Sequence, residues 1–162
     1  MKAGIVKIYA VIYCVLLLLI FGVTTGCVQN NVVKSQEVTF EQLFANLEQY
    51  DGKHIIIEGF YFGGFEVQVI TESLSYSGYA EGHLVPKGQM IWVEGGIPQD
   101  IHDSLYIQQM TGPEERYGKV RVTGKFEYGG KYGHVGGYSS QIVPDEVVLI
   151  SWSPSLQNGL ND

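Results

Sequence analysis

The chain predicts a mainly β domain of five strands, with one helix ahead of them and a shorter helix between strands three and four. Three observations carry that prediction. Apolar residues recur at helical spacing over residues 39–51; from residue 54 onward they recur with a period of two; and glycine pairs at Gly63-Gly64 and Gly95-Gly96 stand where strands should turn.

The leading helix is marked by Thr39 and Gln42, the spacing of a capping box, and by Phe40, Leu43, Phe44 and Leu47 along one stripe. Gly52 is placed as its left-handed stop. Residues 54–62 are β-branched and aromatic, and Gly63-Gly64 turns them into residues 65–71, where Phe65, Val67 and Val69 alternate with Glu66 and Gln68. This pattern is a hairpin. Residues 72–88, rich in Ser, Gly and Tyr, read as a long loop, and residues 90–94 as the third strand. Pro98 opens a short helical segment carrying Ile101, Leu105 and Ile107, closed by Gly112-Pro113. Val120, Val122, Gly124, Phe126 and Tyr128 alternate with charged or polar residues, so one face of the fourth strand is apolar and the other meets water. Residues 129–140 form a glycine and tyrosine loop, residues 147–152 the fifth strand, and residues 153–162 a polar, disordered tail.

An ungapped echo links Gly52-Lys53 and residues 60–64 to Gly118-Lys119 and residues 126–130 at an offset of sixty-six. Either half of a β-structure has been duplicated, or two twisted strands independently need a glycine start and a glycine turn.

The N-terminus sets the address. Residues 8–23 are apolar and uncharged, preceded by Lys2 and Lys7, and followed by Thr24-Thr25-Gly26-Cys27. This reads as a lipoprotein signal, residues 1–26, that ends at a lipidated Cys27. Residues 8–28 also have the length of an uncleaved membrane anchor. Cys14 would leave with the signal, so Cys27 would be the single cysteine of the mature chain, either lipidated or a spare thiol. Both readings place the remainder outside the cytoplasmic membrane. Residues 27–38 are a polar tether and residues 39–152 the domain.

Without residues 1–26 the chain has 136 residues, eight of them basic and seventeen acidic, a net charge of −9. That balance argues against a nucleic-acid partner, which needs clustered Lys and Arg on its phosphates. It suits a domain tied to an anionic membrane surface without lying on it.

The order strand, strand, strand, helix, strand, strand resembles the OB-fold, a five-stranded Greek-key barrel, and the leading helix before Gly52-Lys53 resembles that of anticodon-binding-like OB domains. The stretch from Gly118 through Gly124 and Gly129-Gly130 to Gly136-Gly137-Tyr138 is similar to uncharacterised prokaryotic lipoproteins. The resemblance implies a fold and an address, with no catalytic residue to carry over. It also implies a ligand face on strands two and three and on the loops at residues 63–64 and 129–140. Tyr128, Tyr132, His134 and Tyr138 place aromatic faces and polar tips there, suited either to stacking a ligand or to packing over one end of the barrel.

Other chemistry is sparse. His134 and Tyr138 form His-x-x-x-Tyr, which resembles the haem-attaching pair of a membrane-anchored haem chaperone, but in that family the pair follows the last strand. The histidines His54, His83, His102 and His134 show no metal-ligand spacing. No serine sits in a strand-to-helix elbow, and Gly129-Gly130-Lys131 lacks the Ser or Thr of a phosphate loop. The expected function is therefore a non-catalytic binding module without cofactor, for an unknown protein or small molecule. A single-stranded nucleic-acid binder and a haem or metal chaperone are the alternatives.

Overall fold

A computed structural model of the chain describes residues 34–109 and 112–154. The signal, Cys27, residues 28–33 of the tether and residues 155–162 of the tail lie outside the described residues. Among those described, no helix is long and apolar enough to cross a membrane.

The chain is mainly β, with seven strands in one sheet arranged as a ring. In order these are β1 (Gln36–Val38), α1 (Phe40–Ala45), α2 (Leu47–Tyr50), β2 (His54–Gly64), β3 (Val67–Tyr76), β4 (Leu84–Val93), α3 (Gln99–Asp103), β5 (Tyr106–Gln108), β6 (Glu115–Tyr132) and β7 (Tyr138–Leu149), with a 3-10 turn at His134–Gly136. β2 pairs with β3, β3 with β4, β4 in parallel with β7, and β7 with β6, which returns antiparallel to β2. The long strands thus close on one another, and β1 and β5 are three-residue additions. β1 takes the side of Ile55–Ile57 that β3 does not reach, and β5 takes the side of Glu115–Tyr117 that β7 does not reach.

Several boundaries move. The segment read as tether ends in β1, so the fold begins at Gln36. The leading helix breaks at Asn46, whose φ of −147° is not helical, although the Thr39–Gln42 capping box forms as expected. The long loop expected over residues 72–88 is mostly strand. Thr71 donates its hydroxyl to the Lys87 and Gln89 carbonyls across a bulge, and only residues 77–83 turn. The glycine and tyrosine loop shrinks in the same way, because β6 continues to Tyr132 and β7 resumes at Tyr138. The fifth strand therefore ends at Leu149, ahead of Trp152. Ile107, grouped with Ile101 and Leu105, is instead on β5 and exposed.

The glycines that open the two halves of the echo do different work. Gly52 turns the chain at φ +73°, whereas Gly118 is extended and leaves room for Leu105, whose Cδ2 would stand 2.7 Å from an added β-carbon.

The main core fills the ring. Ile55, Ile57, Ile70, Ile91, Val93, Val120, Val122, Phe126 and Ile142 are fully buried, and Phe40, Leu43 and Tyr50 cover them from the helical side. Tyr61 belongs to this core at 2% exposure, and burial pushes its hydroxyl from 10.0 up to about 12. The unfolded chain releases that proton at about pH 10 while the folded chain keeps it. Stability is therefore complete below about pH 10 and falls by roughly 1 kcal/mol per pH unit up to the folded value. Urea midpoints measured across this range should drop more steeply for the native protein than for Tyr61→Phe; equal slopes would show that the hydroxyl ionises freely.

Candidate functional site

Strand alternation sends the neighbours of the core residues to the opposite face. There Phe62, Val69, Leu84 and Tyr117 form a second buried cluster, with Val67, Leu74, Tyr76, Met90, Trp92, Tyr138 and Trp152 half-buried around it. Aromatic rings meet across it in tilted and edge-to-face geometry. Trp152 lies 5.0 Å from Phe60 and 5.8 Å from Tyr106, and Trp92 lies 5.3 Å from Tyr138. The Tyr106 hydroxyl donates to the Trp152 carbonyl at 2.9 Å, so the segment after β7, expected to leave the domain at Ser153, is tied across this face at least as far as Ser153.

A polar knot closes one end of the cluster. Buried His83, 8% exposed, places Nε2 3.0 Å from Glu115 Oε2. The Gln108 amide donates to the same oxygen at 2.8 Å, and it also pairs with the Leu84 backbone, accepting from its N–H and donating to its C=O. One side chain thus takes the place of a strand along β4. His83 Nδ1 has no hydrogen-bond partner among the described residues, and the His83–Glu115 contact ties the 77–83 turn to β6.

The four residues expected at the ligand site divide. Tyr132 and Tyr138 are paired across the β6–β7 hairpin, and His134 lies in the turn between them. The Tyr138 ring meets Trp92 at a tilt, and burial raises its hydroxyl pKa. His134 is exposed, its Nε2 3.1 Å from Glu66 Oε2 in the β2–β3 turn. Tyr128 is directed elsewhere: its ring packs on the main core, its N–H donates to Asp51 Oδ1 at 2.9 Å, and it lines a cavity with residues 45–49 of the helical side. The bulge between Tyr128 and Tyr132 at Gly129, φ +86°, separates it from the others.

The His134–Glu66 contact joins two unusual turns. Glu66, φ +61°, and Val135, φ +49°, are the two non-glycine residues of positive φ among those described, and a β-branched residue pays heavily for that conformation. Beside them Phe65 is 70% and Val135 90% exposed.

Sequence reasoning missed Trp92, Trp152, Tyr106, Tyr117 and the His83–Glu115–Gln108 knot. One signal was present: residues 54–62 and 90–93 are apolar at both parities, as strands covered on both faces are. Among the described residues no three of His, Cys, Asp and Glu come together in a way that would hold a metal ion. Comparison of this chain with protein-family models, with curated proteins and with solved structures finds no match.

Proposed function

We propose that this chain is an extracytoplasmic, non-catalytic binding module, an OB-fold domain held at the outer face of the cytoplasmic membrane by a lipid on Cys27. The barrel reading is supported by the pairing order. A meander of three strands, a helix before the strand that returns to β2, and a last strand parallel to β4 are the OB arrangement, with β1 and β5 as additions. The site is the hairpin end at Tyr132, His134 and Tyr138, extended onto β4 through Trp92; Tyr128 is not part of it. The observation that carries this is the Trp92–Tyr138 pair, half-buried aromatic surface lying beside two strained turns. The net charge of −9 opposes the nucleic-acid role that such domains often serve.

A photo-cross-linker at position 132, used in intact cells, is expected to give one discrete adduct that Trp92→Ala diminishes about fivefold, the loss of roughly 1 kcal/mol of stacking. An adduct indifferent to Trp92→Ala, or no more adduct than from position 48 on α2, rejects this face. Mass spectrometry of the membrane-bound protein tests the address separately, since an intact Met1 would reject lipidation.

A further inference from the structure

The mouth of the ring beside the β2–β3 turn holds a cavity of about 270 Å3, and none of the hairpin-end residues lines it. It exists because Gly63 has no side chain. Gly63 pairs with Gln68 of β3 on one side and with Arg116 of β6 on the other. Residues paired across strands share a face, so the three stand in one row with space where the middle side chain would be. Tyr61, two residues back on β2, shares that face and belongs to the core below it. Its hydroxyl would lie 2.8 Å from a β-carbon at Gly63, so the oxygen stands at the floor of the cavity. His102 of α3, with Pro113 and Glu114 ahead of β6, closes another side, and the exposed Phe65 stands at the rim.

The groups that converge here are donors in want of an acceptor. Tyr61 is almost wholly buried, yet its hydroxyl has no hydrogen-bond partner among the described residues. A buried hydroxyl left unpaired is costly, so one that opens only onto a cavity is satisfied by what enters it. Arg116 is oriented rather than used up: Nε and Nη2 both lie 2.7 Å from Glu114 Oε1, and Nη1 donates to the His102 carbonyl at 3.1 Å. A guanidinium has five N–H donors, so one on each Nη is left over.

We infer that this cavity takes a small monocarboxylate, its oxygens on the Tyr61 hydroxyl and the Arg116 guanidinium and its apolar part against the Phe65 ring. A planar anion with two oxygens matches the two remaining N–H groups. A phosphate dianion would instead stand against the Glu114 carboxylate, which lines the same space. This site shares no residue with the hairpin end, and either can fail alone.

Fluorine NMR of para-fluorobenzoate with the full-length protein in detergent tests it. Saturable binding is expected, weakened about tenfold by Tyr61→Phe, which removes one oxygen and leaves the ring in the core. Arg116→Lys, which keeps the charge and loses the planar fork, should weaken it by a similar factor. Para-fluorobenzamide, of the same shape without the charge, should also bind about tenfold more weakly. Cooperative urea unfolding shows that each variant is folded. Absence of saturable binding, no effect of either substitution, or an amide held as firmly as the acid would each overturn the inference, as would inorganic phosphate that displaces the probe at equal concentration.

Discussion

Replacing Phe126 by alanine is expected to lower the free energy of unfolding by about 4 kcal/mol, the middle of the range for removing a buried aromatic ring. Phe126 is the largest fully buried side chain among the described residues, and it packs where β6 passes between β2 and β7. Walls on several sides are strands hydrogen-bonded into the ring, so the cavity cannot collapse as it would under a mobile helix. For a domain whose whole stability is of the order of 5–15 kcal/mol, that loss leaves a protein that is partly unfolded or nearly so. Urea denaturation of the full-length protein measures it. A loss below about 1 kcal/mol would mean that the surrounding strands move inward freely, contrary to a ring closed by β6 on β2.

Gly124→Ala should cost about 3 kcal/mol for the opposite reason, overpacking. Gly124 has no positive φ, so backbone strain is not the issue. A β-carbon there would run into the Val143 carbonyl and come within 2.9 Å of Pro144 Cα, both backbone atoms of β7. The register between β6 and β7 shifts at this point, which is also where a strand can accommodate Pro144, since proline has no N–H to offer a ladder. The extra residue at this shift, Asp145, is in β7, so the close approach at Gly124 and the proline belong to one bulge of β7. Gly112→Ala, where a β-carbon meets nothing within 4 Å, is the control and should leave the urea midpoint unchanged. Similar losses for both glycines would show that this contact does not govern the result, since reduced unfolded-state freedom by itself stabilises.

Periodicity made the strand interiors legible. The alternation from Val120 to Phe126 placed the inward face of β6 correctly, whereas Gly63-Gly64, read as the turn, are the paired end of β2 and the β2–β3 turn is Phe65-Glu66. Ends were harder. Residues 72–88 are rich in Ser, Gly and Tyr and look like a loop, yet Ser73–Tyr76 pair with Leu84–Lys87 because β3 and β4 template one another and the Thr71 hydroxyl secures the bulge. β1 and β5 have no local signature at all: three residues become strand only when an unpaired edge lies beside them. The expected site split for a related reason, since one bulge at Gly129 sends Tyr128 to the helical side while Tyr132 and Tyr138 stay together.

By itself, then, the sequence determined that the domain is β-rich, acidic and carries a capped helix ahead of its long strands, because side-chain period, charge and capping chemistry are properties of neighbours along the chain. Only the tertiary structure decided which aromatic rings share a surface, that Trp152 folds back onto β2 and β6, that His83 meets Glu115, and that a cavity opens at Gly63 between Gln68 and Arg116. Those are contacts between residues tens of positions apart, and they exist only once the strands have closed their ring and one long strand has exchanged one partner for another.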